Sequence, residues 1–360
     1  MKLNVLVLPG DGIGPEVTEE AVKVLDRIGS IFHHEIFLTQ GLLGGVAIKK
    51  AGDPFPRETA ERALAADATL LGAVGLPEYD TLAPHLRPEK GLLGIRKALG
   101  VYANLRPVRS YKALLESSPL KNHLVDGTDM IIVRELTGGL YYGTPRGIEG
   151  TGAEERGFNT MVYTRREIER VARVAFRLAQ NRRKKVTSVD KSNVIDTSQL
   201  WRRVVTEVAA EFPDVALDHL LVDNCAMQLV LNPRRFDVLV TENMFGDILS
   251  DEGAVIAGSV GMLPSASIGD QKPSGAWAGL YEPVHGSAPD IAGQNKANPL
   301  GAIGSVAAML EYSFGLKEEA AAVNRAMETV LNSGRVTADL KPAGKPVSTT
   351  ELGDAVVRAL

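Results

Sequence analysis

The chain reads as an α/β protein with a mostly parallel sheet, divided into two domains. Three observations carry that expectation. Its 360 residues exceed one ordinary core, at roughly 150 residues per domain. Short apolar runs at residues 5–8, 69–74, 186–189 and 238–240 each give way to something other than a hairpin turn. That is the texture of parallel strands covered on both faces. The first of these runs passes through Pro9-Gly10 into a helical pattern, the strand–turn–helix opening of an α/β unit.

Taken in order, residues 5–8 form a buried strand stopped by Pro9-Gly10. Pro15 sits at a first helical position, with Glu16, Glu19 and Glu20 in the opening turns. Val17, Ala21, Val24, Leu25 and Ile28 recur at helical spacing until Gly29. Residues 69–74 form a second strand, ending in Gly75-Leu76-Pro77. From Gly138 to Gly157 there are seven glycines, with Tyr141, Tyr142 and Ile148 among polar residues. A structureless loop of that length is unusual in a compact domain, so a projecting hairpin that clasps a partner competes with a flexible surface loop. Residues 165–185 form a basic helix with Ile168, Val171, Val174, Ala175 and Leu178 on one face. Its arginines read as a solvated face before an RNA or phosphate site.

Composition removes several function classes. Hydrophobic residues at 44% and charged residues at 23% exclude a disordered chain. Forty basic against forty-four acidic residues leave a net charge of −4, so no bulk field draws the chain to nucleic acid or anionic lipid. No segment approaches the roughly 20 apolar residues of a membrane span, and the opening run is too short for a signal peptide. The single Cys225 excludes an intrachain disulfide and a cysteine zinc cluster. The cytoplasm, or an organelle matrix after removal of an import peptide, is the default address.

Four clusters carry chemistry. Gly10-Asp11-Gly12-Ile13-Gly14-Pro15 stands where a dinucleotide fingerprint would, but proline replaces its last glycine. It is better taken as a tight turn packed close to a ligand. Asp247 and Asp251 lie four apart on one helix face and repel unless a cation joins them. Asp223 could add a third oxygen, a set that suits Mg²⁺ or Mn²⁺, although a solvated helix face also explains the pair. Arg96, Arg106 and Arg134 occupy apolar or turn-like contexts, where arginine needs a carboxylate or phosphate partner or a structural salt bridge. Lys191 follows the run 186–189, at the strand end where α/β sheets place functional groups. Finally, Glu282-Pro283-Val284-His285-Gly286-Ser287-Ala288-Pro289-Asp290 continues to Asn298 through small residues that admit a ligand to the backbone. Asp290 could accept from ribose hydroxyls and would repel a 2′-phosphate, favouring NAD over NADP.

These motifs resemble the β-decarboxylating dehydrogenases, the family of isopropylmalate and isocitrate dehydrogenases. The resemblance runs end to end through Gly10–Glu16, Arg134–Gly139, Val189–Asn193, Phe245–Asp251 and His285–Gly293. It implies a homodimer with shared active sites, two α/β domains per subunit and an NAD site that is not a Rossmann fold. The NAD-binding domain would comprise residues 1–101 plus 256–360. Residues 102–255 would dimerise and hold substrate and metal, with the 138–157 arm reaching the other subunit.

The resemblance also implies roles. Tyr141 and Lys191 are the acid–base pair. Arg96, Arg106 and Arg134 bind the malate carboxylates. Asp223, Asp247 and Asp251 are the metal ligands, with Asp223 and Lys191 entering from the partner. Glu89, Leu92, Leu93, Asn193 and Val194 line the substrate pocket. Ile13, Gly75, Leu76, Glu89, Glu282, His285, Gly286, Ser287, Ala288, Asp290 and Asn298 form the cofactor site.

Leu92-Leu93 favours a branched alkyl group over a third carboxylate, because burying the alkyl gains free energy and burying the carboxylate costs it. The implied substrate is 3-isopropylmalate, oxidatively decarboxylated in leucine biosynthesis. D-malate, tartrate or homoisocitrate is the alternative substrate, and a non-catalytic regulatory subunit or an acyl-phosphate transferase the alternative class. Three departures from the family pattern stand out: Leu76 for a glycine, Glu242 for a small residue, and a long segment at 270–279 with an exposed-looking Trp277.

Overall fold

A computed structural model describes residues 1–79, 81–83, 86–271, 276–342 and 344–360. The chain opens with β1 (Lys2–Gly10), α1 (Gly14–Phe32), β2 (Glu35–Gln40), α2 (Gly45–Ala51), α3 (Arg57–Ala65), β3 (Ala68–Ala73) and α4 (Pro88–Leu99). The middle runs β4 (Ala103–Arg109), α5 (Asn122–Val125), β5 (Asp129–Glu135), β6 (Gly147–Glu149), β7 (Arg156–Phe158), α6 (Arg165–Gln180), β8 (Lys185–Asp190), α7 (Asp196–Ala209), β9 (Ala216–Leu221), α8 (Val222–Leu231), β10 (Val238–Thr241) and α9 (Asn243–Ile256). The last part adds β11 (Pro264–Gln271), β12 (Trp277–Pro283), α10 (Leu300–Tyr312), α11 (Lys317–Asn332) and α12 (Thr349–Ala359).

Two units result: residues 1–101, 110–122 and 254–360, and residues 102–109 and 123–253. The stretch 110–122, expected within the middle segment, groups with the chain ends, as do residues 254 and 255.

The first unit orders its strands β2-β1-β3-β12-β11. Parallel pairing joins β1 to β2 and β3, and β3 to β12; β11 runs antiparallel to β12. Every residue of β3 is buried, as an apolar run between helices on both faces requires. Gly29 does not end α1, contrary to its reading as a stop. The helix continues to Phe32, and a side chain at 29 would meet Ile36 at 2.6 Å. Glycine is there for close approach of β2. The true stop is His33, in the left-handed conformation at φ 58°.

The second unit orders its strands β4-β5-β10-β8-β9, parallel except for the antiparallel β4–β5 pair. Its core includes Trp201, Phe176 and Phe236, all essentially without solvent exposure. Thr164 and Glu167 form a capping box that starts α6. The helix stops at Gln180 rather than reaching 185, because Lys184 turns left-handed at φ 58° and Lys185 enters β8. Arg165 and Arg173 on its outer face pair with Glu207 and Glu211. They form an exposed ion-pair seam to α7 and the turn after it, which agrees with a solvated face. Within the glycine-rich stretch, β6 and β7 pair antiparallel as a hairpin, with Ile148 exposed. Trp277 is half-buried at the start of β12, not exposed, and residues 272–275 of the long segment lie outside the described residues.

Candidate active site

In the first unit the turn after β1 and the loop after β3 are drawn together by one carboxylate. Asp11, buried, accepts from the amides of Gly45 (2.8 Å) and Gly75 (2.9 Å) through Oδ2 and of Val46 (2.8 Å) through Oδ1. Ser287 then closes the ring: its carbonyl accepts from Ile13 N–H at 2.8 Å, and its hydroxyl donates to the Gly75 carbonyl at 2.5 Å. A side chain at Gly12 would strike the Ser287 carbonyl at 2.0 Å, so the glycine is required by this approach. Ile13, Gly75 and Ser287 are thus brought together. Glu89, exposed in the first turn of α4, has Oε1 at 3.3 Å from where a Cβ on Gly75 would stand. Leu76 is half-buried beside Gly45, where a Cβ would meet its Cδ1 at 2.8 Å.

The loop after β12 holds His285, whose Nδ1 lies 2.9 Å from the Gly286 carbonyl and whose Nε2 is buried with no partner among the described residues. Burial pushes its pKa down, so the ring is neutral at pH 7. Among the described residues nothing lies within 4 Å of where a Cβ on Gly286 would stand, Ala288 takes φ 36°, and Asp290 is exposed. Asn298 is committed to the protein: Nδ2 donates to Asp339 at 3.0 Å and Oδ1 accepts from Leu300 N–H at 3.0 Å. Leu92 and Leu93 are half-buried on α4, with Leu92 against the core. On the same helix Arg96, buried, gives Nη2 to Glu282 at 2.7 Å while its Nε has no partner among the described residues.

The second unit builds a denser cluster where β4, β5 and α9 meet. Arg106 donates from Nη1 to Ser250 (2.6 Å) and Asp251 (3.2 Å), and from Nε to Asn104 (2.9 Å). Arg134 pairs with Asp247, and Tyr141 donates its hydroxyl to the other oxygen of Asp247 at 3.0 Å. The Arg134 guanidinium lies 5.8 Å from the Tyr141 ring centroid. Asp247 and Asp251 therefore sit among cations. Burial raises the Asp251 pKa despite Arg106. Burial and the Asp247 carboxylate raise that of Tyr141.

Lys191 and Asp223 form a separate pair, Nζ to Oδ1 at 2.6 Å, and that bond holds the Asp223 pKa down. Asn193 and Val194 are exposed in the turn after β8. Among the described residues, no three His, Cys, Asp or Glu side chains of one chain come together as a metal site. Asp223 is thus not joined to Asp247 and Asp251 within one chain. Glu242 has a structural place: its buried carboxylate accepts from Met244 and Phe245 N–H at the start of α9. Sequence reasoning missed Asp11, Tyr163 and Asn243. For Asp11 the signal was available, since an acid between two glycines in a tight turn needs backbone donors.

The fold is that of the two-domain isocitrate/isopropylmalate dehydrogenases, and the chain belongs to that family, whose model matches residues 4–356. It is 56% identical to the 3-isopropylmalate dehydrogenase of Halalkalibacterium halodurans, covering 100% of this chain and 98% of that protein. It is 57% identical to the enzyme of the same name from Geobacillus kaustophilus, covering 99% and 95%. Among solved structures, isocitrate dehydrogenase from Methylococcus capsulatus superposes with a TM-score of 0.87 at 36% identity, covering 99% of this chain and 98% of that one.

Proposed function

We propose that the chain oxidatively decarboxylates 3-isopropylmalate to 4-methyl-2-oxopentanoate and CO2 with NAD, the oxidative step of leucine biosynthesis. The observation that carries it is the meeting of Arg106, Arg134 and Tyr141 on Asp247 and Asp251. Two arginines suit the malate carboxylates. The aspartates supply hard oxygen donors that fit Mg²⁺ or Mn²⁺. The first unit would be the NAD-binding domain and the second the dimerising one. The unpartnered Nε2 of His285 and the open space at Gly286 suit a cofactor beside Ile13, Gly75, Leu76, Ser287 and Asp290.

A second copy would complete the metal set with Asp223 and bring in Lys191. Met227, Val230, Leu231 and Ile248, apolar and exposed on α8 and α9, support such a homodimer, with the 138–157 hairpin clasping the partner. A divalent cation held by Asp247, Asp251 and the second copy's Asp223 would supply Lewis-acid stabilisation of developing negative charge, and NAD would supply the hydride acceptor. Lys191, acting as the free amine, would take the hydroxyl proton as hydride leaves C2. The C3–carboxylate bond then breaks to release CO2, leaving its electron pair in an enolate. Tyr141 returns a proton to C3. No helix of the described residues is long and apolar enough to cross a membrane.

The test is NADH appearance with 3-isopropylmalate and Mg²⁺, with and without chelator, and kcat/KM against D-malate, tartrate, isocitrate and homoisocitrate. Isopropylmalate should win, with activity abolished by chelation. A larger kcat/KM for any other acid refutes the substrate assignment.

A further inference from the structure

We infer that Asn243, held by Tyr163, is the positioning residue that fixes both Arg134 and the segment carrying Tyr141, so that one amide sets the register of the substrate arginine against the proton donor. The inference rests on the functional reading above and deepens it. Asn243 Oδ1 accepts from Nε (3.0 Å) and Nη2 (2.7 Å) of Arg134, taking one whole edge of the guanidinium. The opposite nitrogen, Nη1, is the one that reaches Asp247. The arginine stem has no slack either, since a Cβ on Gly246 would meet its Cγ at 2.6 Å. Meanwhile Asn243 Nδ2 donates to the Gly138 carbonyl at 3.2 Å, and Gly139 opens the short turn that ends at Tyr141.

The amide is itself held. Asn243 N–H donates to the Tyr163 hydroxyl at 3.0 Å, and that hydroxyl donates to Glu242 at 3.2 Å. Tyr163 is 6% exposed, and its ring meets Trp201 edge-on at 5.7 Å. Burial raises its pKa far above the usual value for tyrosine, which keeps the donor proton in place. A buried amide with both ends used and its backbone pinned holds its neighbours to one geometry.

The two ends of the amide can be cut separately. Asn243→Asp keeps the oxygen for Arg134 but turns a carboxylate oxygen toward the Gly138 carbonyl. Asn243→Leu removes both ends at similar volume. Losing a supporting hydrogen bond of this kind costs about 10–100-fold in function where such shells have been measured, chiefly around metals. Expected for Asn243→Leu is a 3-isopropylmalate KM at least tenfold higher, with the NAD KM unchanged. Asn243→Asp should keep that KM within about threefold while kcat falls at least tenfold. Tyr163→Phe should resemble Asn243→Leu more weakly. A uniform loss of kcat and KM in both variants, or no loss, overturns the inference.

Hydrogen exchange of the amides of residues 138–142 is read on the same proteins and needs no substrate. It should accelerate in Asn243→Asp relative to the wild-type protein, and unchanged exchange overturns the inference even if the wild type proves to oxidise some other acid. Absence of wild-type turnover with isopropylmalate, alongside accelerated exchange, would refute the functional reading and leave the positioning role standing.

Discussion

Replacing Asp11 by asparagine tests how one carboxylate organises the first unit. Its two oxygens accept three amides at 2.8–2.9 Å, from Gly45, Val46 and Gly75, in a site only 3% exposed. Asparagine has the same shape but only one acceptor oxygen. In its better orientation the oxygen keeps Gly45 and Gly75, and the NH2 confronts the Val46 N–H. That orphaned donor costs about 1–3 kcal/mol, and two weakened bonds to a formerly charged acceptor add about 1 kcal/mol. The Val46 side is partly open, where water can intervene, so the expected loss is about 2 kcal/mol. Asp11→Ala orphans all three amides and should lose about 3–6 kcal/mol.

The assay is urea unfolding at constant m-value, with NAD and isopropylmalate KM measured on the folded variant. Gly75 also carries the Ser287 contact, so loosening it should raise the NAD KM about tenfold while the acid KM moves less than twofold. An Asp11→Asn protein within about 0.5 kcal/mol of wild type and with an unchanged NAD KM would refute the reasoning.

Further outcomes follow from the same geometry. Lys191→Met and Asp247→Asn should each abolish turnover, yet mixing the two after dissociation should restore about a quarter of wild-type activity, because half the dimers are mixed and each has one intact site. No recovery in a mixture shown to contain mixed dimers would exclude shared sites. The thiol of Cys225, buried and pushed up to about 12, should resist an aromatic disulfide reagent at pH 8 until the protein unfolds; rapid native labelling would contradict its placement. Tyr141, with its pKa raised, keeps its proton through neutral and mildly alkaline pH. Tyr141→Phe should therefore cut kcat about 100-fold without removing an alkaline limb near pH 8, and loss of such a limb in the variant would refute this assignment. Glu207 and Glu211, lowered by Arg165 and Arg173, contribute stability that is present above the ordinary carboxylate pKa and lost as pH falls through their depressed values. The double glutamine variant should be less stable than wild type at pH 7, with the gap closing below about pH 4; a gap independent of pH would exclude the ion pairs as its source.

Local chemistry determined a good deal of this protein in the sequence alone. Apolar runs marked β1, β3, β8 and β10, because fully covered parallel strands need continuous hydrophobic residues. The amphipathic stripe of α6 and its outward arginines were legible for the same reason, since helical periodicity records which face meets the core. Asp247 and Asp251 were readable as a pair because four residues make one helical turn. Strands β2, β9 and β11 were not read from such runs. β2 has a short apolar run at 36–38, but Phe37 and Leu38 are exposed at the sheet edge rather than covered on both faces, and β11 is antiparallel to its partner β12.

Only the tertiary structure decided the company each group keeps. Arg106 and Arg134 lie on β4 and β5, Tyr141 on the turn beyond, and Asp247 on α9, and no spacing rule links them. Their meeting depends on the order in which the strands pair. The same holds for Asp11, whose three donors come from residues 45, 46 and 75, and for Asn243, whose side-chain partners lie more than a hundred positions earlier. A hydrogen bond is satisfied in space rather than along the chain. Sequence thus names the groups able to act, and the fold determines which of them meet.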